Sequence, residues 1–72
     1  MFQKEIFAQR LRDLRESAGE ERKDLAKLLG VSISQISELE NGRKGTTMER
    51  FVQLCEHFHV SADYLLGLKD ER

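Results

Sequence analysis

The sequence predicts an all-α domain of five short helices, and three observations predict it. Apolar residues recur at the spacing of a half-buried helix in segment after segment, and no stretch alternates with period two over a useful length. Glycines and Ser or Thr residues punctuate these segments where helices stop and start. The 72 residues include no proline and 35% charged side chains, which suits short, surface-rich helices.

The first helix is expected from Gln3 to Ala18, with Phe7, Leu11, Leu14 and Ala18 on its apolar face and Gly19 ending it. The second, from about Glu21 to Leu29, sets Leu25, Ala26 and Leu29 on one face and stops at Gly30. Ser32 is a good N-cap for a third helix running to Glu40, with Ile36 and Leu39 inward and Asn41-Gly42 as its stop. Gly42-Arg43-Lys44-Gly45 reads as a loop, basic in its middle. Thr46 or Thr47 caps the fourth helix, and Thr46-x-x-Glu49 has the form of a capping box. Met48, Phe51, Leu54, Cys55 and Phe58 give that helix a wide apolar stripe. Ser61 caps a short fifth helix containing Tyr64, Leu65 and Leu66, which Gly67 terminates. The chain is expected to be one domain over residues 1–72, with its core at about 6–67 and both termini frayed.

A chain this short buries only about 60% of the surface its unfolded form exposes. That leaves no room for a second domain or for the deep, water-excluding pocket most enzymes need. No run approaches the roughly 18–20 apolar residues of a membrane span, and no basic-then-apolar leader opens the chain, so a cytoplasmic protein is expected. The single cysteine, Cys55, cannot form an internal disulfide, which fits a reducing compartment. Cys55 and His59 stand four apart, the spacing of two metal ligands on one helix face. Cys55 lies on the apolar stripe, however, and His57 points elsewhere, so four ligands cannot be completed. No catalytic residue, metal, cofactor or small-molecule ligand is expected.

The centre of the chain has the sequence form of a helix-turn-helix: a helix, a short turn containing Gly30, then a second helix. Ala26 and Gly30 are small where the two helices are expected to approach closely, and Val31, Ile36 and Leu39 point inward. Four stretches carry a wider likeness. They are Arg10-Leu11-Arg12-Asp13-Leu14-Arg15, then Asp24-Leu25-Ala26-Lys27-Leu28-Leu29-Gly30-Val31-Ser32, then Ile36-Ser37-Glu38-Leu39-Glu40-Asn41-Gly42, and last Val60-Ser61-Ala62-Asp63-Tyr64-Leu65-Leu66-Gly67. In this order and spacing, from Phe7 to Gly67, the chain resembles the Cro and phage-repressor (XRE) type of helix-turn-helix domain. The resemblance implies a lambda-repressor-like fold and a sequence-specific transcriptional regulator, a repressor, that binds double-stranded DNA. Its third helix would read a palindromic operator in the major groove, with the second helix across the phosphate backbone.

Advancing about 100° per residue, a buried side centred on Ile36, Leu39 and Glu40 places Ser34, Ser37, Glu38 and Asn41 opposite. Ile33 and Gln35 flank that face. Ser32, Ile33, Ser34, Gln35, Ser37 and Glu38 are the candidate base readers. Ser can donate or accept, Gln suits adenine, Glu accepts from a cytosine amine, and Ile meets a thymine methyl. Alone, such a face is more often an ordinary solvated helix surface, and the resemblance is what gives it this role. The resemblance also implies phosphate contacts from Arg22, where relatives usually carry Gln, and from Lys23 beside it. Asn41, Arg43 and Lys44, just after the third helix, are placed to join them. Arg15 and Glu40 hold the positions of a family ion pair that is chiefly architectural. The chain departs from the family pattern at Glu20-Glu21-Arg22, where an apolar residue, Ser or Thr, and Gln usually stand. The start of the second helix is therefore expected to be exposed and poorly capped.

A net charge of −1 runs against a nucleic-acid partner, but its distribution does not. Residues 10–44 hold eight basic side chains against seven acidic, and residues 49–72 hold three against five. One protomer then makes few phosphate contacts, so a homodimer is expected, with half-sites about one helical turn apart. The fifth helix with the tail, or Met1-Phe2 with Ile6, are candidate dimer surfaces. The acids Glu20, Glu21 and Glu38 keep a second reading open, in which the same fold binds a protein such as an antirepressor or a toxin.

Overall fold

The computed structural model describes residues 3–72. The described residues form α1 (Lys4–Ser17), α2 (Arg22–Leu29), α3 (Ile33–Glu40), α4 (Met48–Phe58) and α5 (Ala62–Leu66), with no strand among them. The longest helix, α1, packs against both α3 and α5, while α2 packs on α3 and α4 on α5. Phe7, Leu11 and Leu14 of α1 therefore form the spine of the core. Leu25 and Leu29 of α2, Ile36 and Leu39 of α3, Leu54 of α4 and Leu65 of α5 close around them, all buried. Each such side chain contributes about 1.5–3 kcal/mol when fully withdrawn from water, so no helix of this length could stand alone.

Several expectations need correction. Ala18 is the exposed C-cap of α1, and Ala8, three residues before Leu11, is the small residue on the buried face. Met48 is the first residue of α4 and 81% exposed, because the helix reaches the core only further along. Leu54 is fully buried there, and Phe51, Cys55 and Phe58 pack half-buried against the core. Thr47, not Thr46, caps α4, its hydroxyl accepting the Arg50 N–H at 3.2 Å. The Thr46–Glu49 box does not form, and the Thr46 hydroxyl is buried with no hydrogen-bond partner among the described residues.

Gly30 is not at a close approach. A Cβ there would meet nothing within 4 Å, and the position calls for glycine because its φ is +68°. Ala26, 6% exposed, is the small residue at the helix contact. Gly67 combines both demands: its φ is +85°, and a Cβ would fall 2.7 Å from Cγ2 of Ile6. Ile6 is thus engaged within its own protomer, while Met1 and Phe2, proposed with it as a dimer surface, lie outside the described residues.

Residues 68–72, expected to fray, are instead tied back to α1. Arg10 donates to the backbone carbonyls of Tyr64 and Lys69, and its Nη2 meets Asp70 at 3.0 Å. The guanidinium lies 4.4 Å from the centroid of the buried Tyr64 ring, and the Ser61 N–H donates to the Arg72 carbonyl at 3.0 Å. A stacked, charged anchor of this kind explains why the tail follows the fold.

Candidate functional site

The helix-turn-helix is built from two well-formed helix ends. At the close of α2 the N–H groups of Gly30 and Val31 both donate to the Ala26 carbonyl, which turns the chain sharply. Three residues later Ser32 opens α3. Its hydroxyl accepts the Gln35 N–H at 3.1 Å, and its own N–H donates to Gln35 Oε1 at 2.9 Å. The start of α2, expected to be poorly capped, also has a partner: the Asp24 carboxylate accepts the Glu21 N–H at 2.7 Å. The capping group sits within the helix rather than at its N-cap, so a search for Ser or Thr at that position misses it.

These caps fix which α3 side chains are presented. Ser32, Ile33, Ser34 and Gln35 are exposed, and Ser37 and Glu38 are half-buried. Ser34 has no side-chain partner among the described residues, and Ile33 stands 54% exposed. In Gln35 the oxygen is committed to the cap, leaving the amide nitrogen to donate. At the other end of the face Ser37 accepts from Asn41 Nδ2 at 3.3 Å, and Glu38 lies 3.6 Å from Lys44 Nζ. The face therefore divides into an open N-terminal part and a C-terminal part linked to the loop that follows.

The basic residues surround this face unevenly. Lys23 and Lys44 are largely exposed, and Arg43 is exposed with no side-chain partner among the described residues. The hydrogen bond that Lys23 Nζ donates to the Glu21 carboxylate, 3.1 Å away, raises the Lys23 ammonium above its ordinary pKa. Arg22, expected to face phosphate, is also tied inward: its Nε meets Glu40 Oε1 at 3.1 Å while 40% of its side chain stays exposed.

Glu40 is the one charged residue buried among the described residues. Arg15 grips it with two bonds, Nε to Oε2 at 2.6 Å and Nη2 to Oε1 at 3.0 Å, and also donates to the Glu20 carbonyl at 3.0 Å. The expected pair is therefore present, and the hydrogen bond to Glu40 raises the Arg15 pKa against the lowering effect of burial. Arg12 completes the cluster, its Nη2 donating to the Glu40 backbone carbonyl at 2.8 Å. Burying a carboxylate costs several kcal/mol, which two guanidinium groups and three charge-assisted bonds offset. Neither Arg12 nor Arg22 was legible as a partner, because each meets Glu40 across a long stretch of chain with no local spacing to signal it.

Two further contacts concern residues read as candidates for other chemistry. His57 Nε2 lies 2.8 Å from the Glu20 carboxylate, tying α4 to the turn between α1 and α2. His59 is the C-cap of α4 with φ +55°, so it leaves the helix and does not share a face with Cys55. Burial, and then the charge of Glu56, push the Cys55 thiol up in pKa. Among the described residues no group of three or more His, Cys, Asp or Glu could hold a metal ion, and no helix is long and apolar enough to cross a membrane.

Of the acids that burden the overall charge, Glu21 is paired with Lys23 and Glu38 with Lys44, and Glu20 lies in hydrogen-bond contact with His57. At the junction of α1, α2 and α3, three arginines converge on one buried acid and leave a positive surplus.

With this geometry in view, comparison with known proteins gives a consistent result. The profile of a helix-turn-helix domain family matches residues 6–66. The uncharacterised HTH-type transcriptional regulator YobD of Bacillus subtilis is 33% identical over 66 residues, covering 92% of this chain and 59% of that protein. The HTH-type transcriptional regulator PrpR of Mycobacterium tuberculosis is 38% identical over 63 residues, 88% of this chain and 13% of its own length. The chain thus spans only part of the relatives it matches. Among solved structures, the P22 c2 repressor in complex with a synthetic operator superposes with TM-score 0.81 at 28% identity, covering 89% of this chain and 97% of that one. A transcriptional regulator from Listeria innocua superposes with TM-score 0.83 at 29% identity, over 92% and 62% of the two chains. Five helices in the expected order, a capped helix-turn-helix and a family match over most of its length establish that the chain belongs to the helix-turn-helix domain family of the Cro and phage-repressor type.

Proposed function

We propose that the chain is a sequence-specific, double-stranded DNA-binding transcriptional regulator, a repressor and not an enzyme, acting in the cytoplasm. One observation carries this: α3 presents a capped, polar, open face flanked by Arg22, Lys23, Arg43 and Lys44. Ser32, Ile33, Ser34, Gln35, Ser37 and Glu38 would meet base edges, with Ser34 and Ile33 foremost because nothing among the described residues competes for them. Arg22, Lys23, Asn41, Arg43 and Lys44 would meet phosphates and set the register. The relatives named HTH-type transcriptional regulators and the operator bound to the P22 c2 repressor support the same assignment. The lysine partners of Glu21 and Glu38 support DNA over a protein partner.

A protomer of this charge makes few phosphate contacts, so two copies would share a palindromic operator, with half-site centres about 34 Å apart. The test is an anisotropy titration of a duplex carrying the gene's own upstream region at two salt concentrations. Saturable binding that weakens as salt rises is expected. No binding at low salt would reject the proposal.

A further inference from the structure

Glu40 touches the presented face only through Arg22. We infer that this buried acid is a positioning residue for DNA binding: it holds the Arg22 guanidinium by Nε so that Nη1 and Nη2 are set to take a phosphate. The inference rests on the DNA-binding reading above and deepens it.

Glu40 is 1% exposed and Arg15 fixes both its carboxylate oxygens, so the acid cannot swing. Arg12 pins its backbone as well. Arg22 then binds Oε1 through Nε alone, and its two terminal nitrogens have no partner among the described residues. A guanidinium is a planar fork whose donors point along fixed directions. Securing Nε therefore fixes the plane in which the other nitrogens present their protons. With 40% of the side chain in solvent, that exposed edge has access to a ligand.

Charge favours the same ligand. Arg15 and Arg22 share the Glu40 carboxylate and Arg12 holds its backbone carbonyl, so the cluster retains positive charge that a phosphate would complement. The chain Glu40–Arg22–phosphate then alternates in sign, and the anion completes it without displacing Glu40. A lysine at position 22 could approach either Glu40 or a phosphate, but its single nitrogen cannot bridge both in a fixed plane. The arrangement also accounts for arginine serving at this position: an acid 18 residues further along, on α3, makes its orientation definite.

The test is a double-mutant cycle on a random-sequence 20-base-pair duplex at low salt, since a phosphate contact is independent of sequence. In the wild-type background, R22K is expected to weaken binding by about tenfold, the loss of one well-placed charge-assisted pair. In the E40Q background, with folding checked by circular dichroism, R22K is expected to cost less than about twofold, because the orientation is already lost. Equal costs in the two backgrounds would overturn the positioning role and leave DNA binding intact. A wild-type protein that binds no duplex would overturn both.

Should E40Q fail to fold, the Arg22 Nε–Hε resonance of the wild-type protein decides. It is expected to stay protected from exchange with and without the duplex, while the Nη protons gain protection only with it. Loss of Nε–Hε protection on adding duplex would show that Arg22 leaves Glu40, and would overturn the inference.

Discussion

At the residue scale, function and stability fall to different side chains that lie close together. Ser34 is exposed and has no side-chain partner among the described residues, so Ser34→Ala should alter sequence preference while leaving thermal stability nearly unchanged. Arg22→Ala should weaken all duplexes alike and reduce the slope of log K against log salt by about one, measured over a salt series. Uniform losses from both variants across operator sequences would contradict the assigned roles. Arg15→Ala removes the main grip on a fully buried carboxylate and should destabilise the fold by about 3 kcal/mol in urea denaturation. The Arg15 pKa is raised, so its contribution is complete below the unfolded arginine value and lost only as pH climbs through the folded one. The stability gap between Arg15→Ala and wild type due to Arg15 ionisation should thus stay level between about pH 6 and about pH 9. Cys55 has the opposite chemical consequence: its raised pKa leaves less thiolate at neutral pH, so iodoacetamide should modify it more slowly in the folded than in the unfolded protein.

At the element scale, what the sequence made legible was what a helix settles within itself. Ser32, Thr47 and Ser61 each accept an N–H three residues on, so a short polar residue before an apolar repeat located α3, α4 and α5. Boundaries were misplaced where the deciding group lay elsewhere. Asp24 caps α2 from inside the helix, Arg10 secures the tail from α1, and Met48 is exposed although its spacing suits the stripe. The candidate face shows the same division. Its direction followed from Ile36, Leu39 and Glu40 being buried together, whereas the hold of Glu40 on Arg22 arises only when α2 and α3 meet. Helix termination offers a check. Gly30→Ala has open space and only a left-handed backbone to resist it, a cost of about 1–2 kcal/mol. Gly67→Ala adds a collision with Ile6 and should cost more. His59→Gly relieves a left-handed non-glycine residue at the end of α4 and should raise stability by about 0.5–1 kcal/mol. Denaturant midpoints of the three variants would order them, and a Gly67→Ala milder than Gly30→Ala would contradict the packing at Ile6.

At the scale of the whole molecule, a net charge of −1 describes the chain less well than the position of its charges. Glu21 and Glu38 near the presented face are paired, and Arg15 and Arg22 gather on the buried Glu40 carboxylate beside it, with Arg12 on its backbone carbonyl. The exposed apolar Met48, Val52 and Leu68 lie on α4 and the tail, outside the residues assigned to DNA. Chemical-shift mapping of the isotope-labelled protein, titrated with a duplex of the gene's upstream region at low salt, tests this division most directly. Perturbations should concentrate at Arg22, Lys23, Ser32 to Glu38 and Asn41 to Lys44, with α4 outside its first turn unmoved. Perturbations centred on Met48, Val52 and Leu68 with the α3 face silent would contradict the proposed interface.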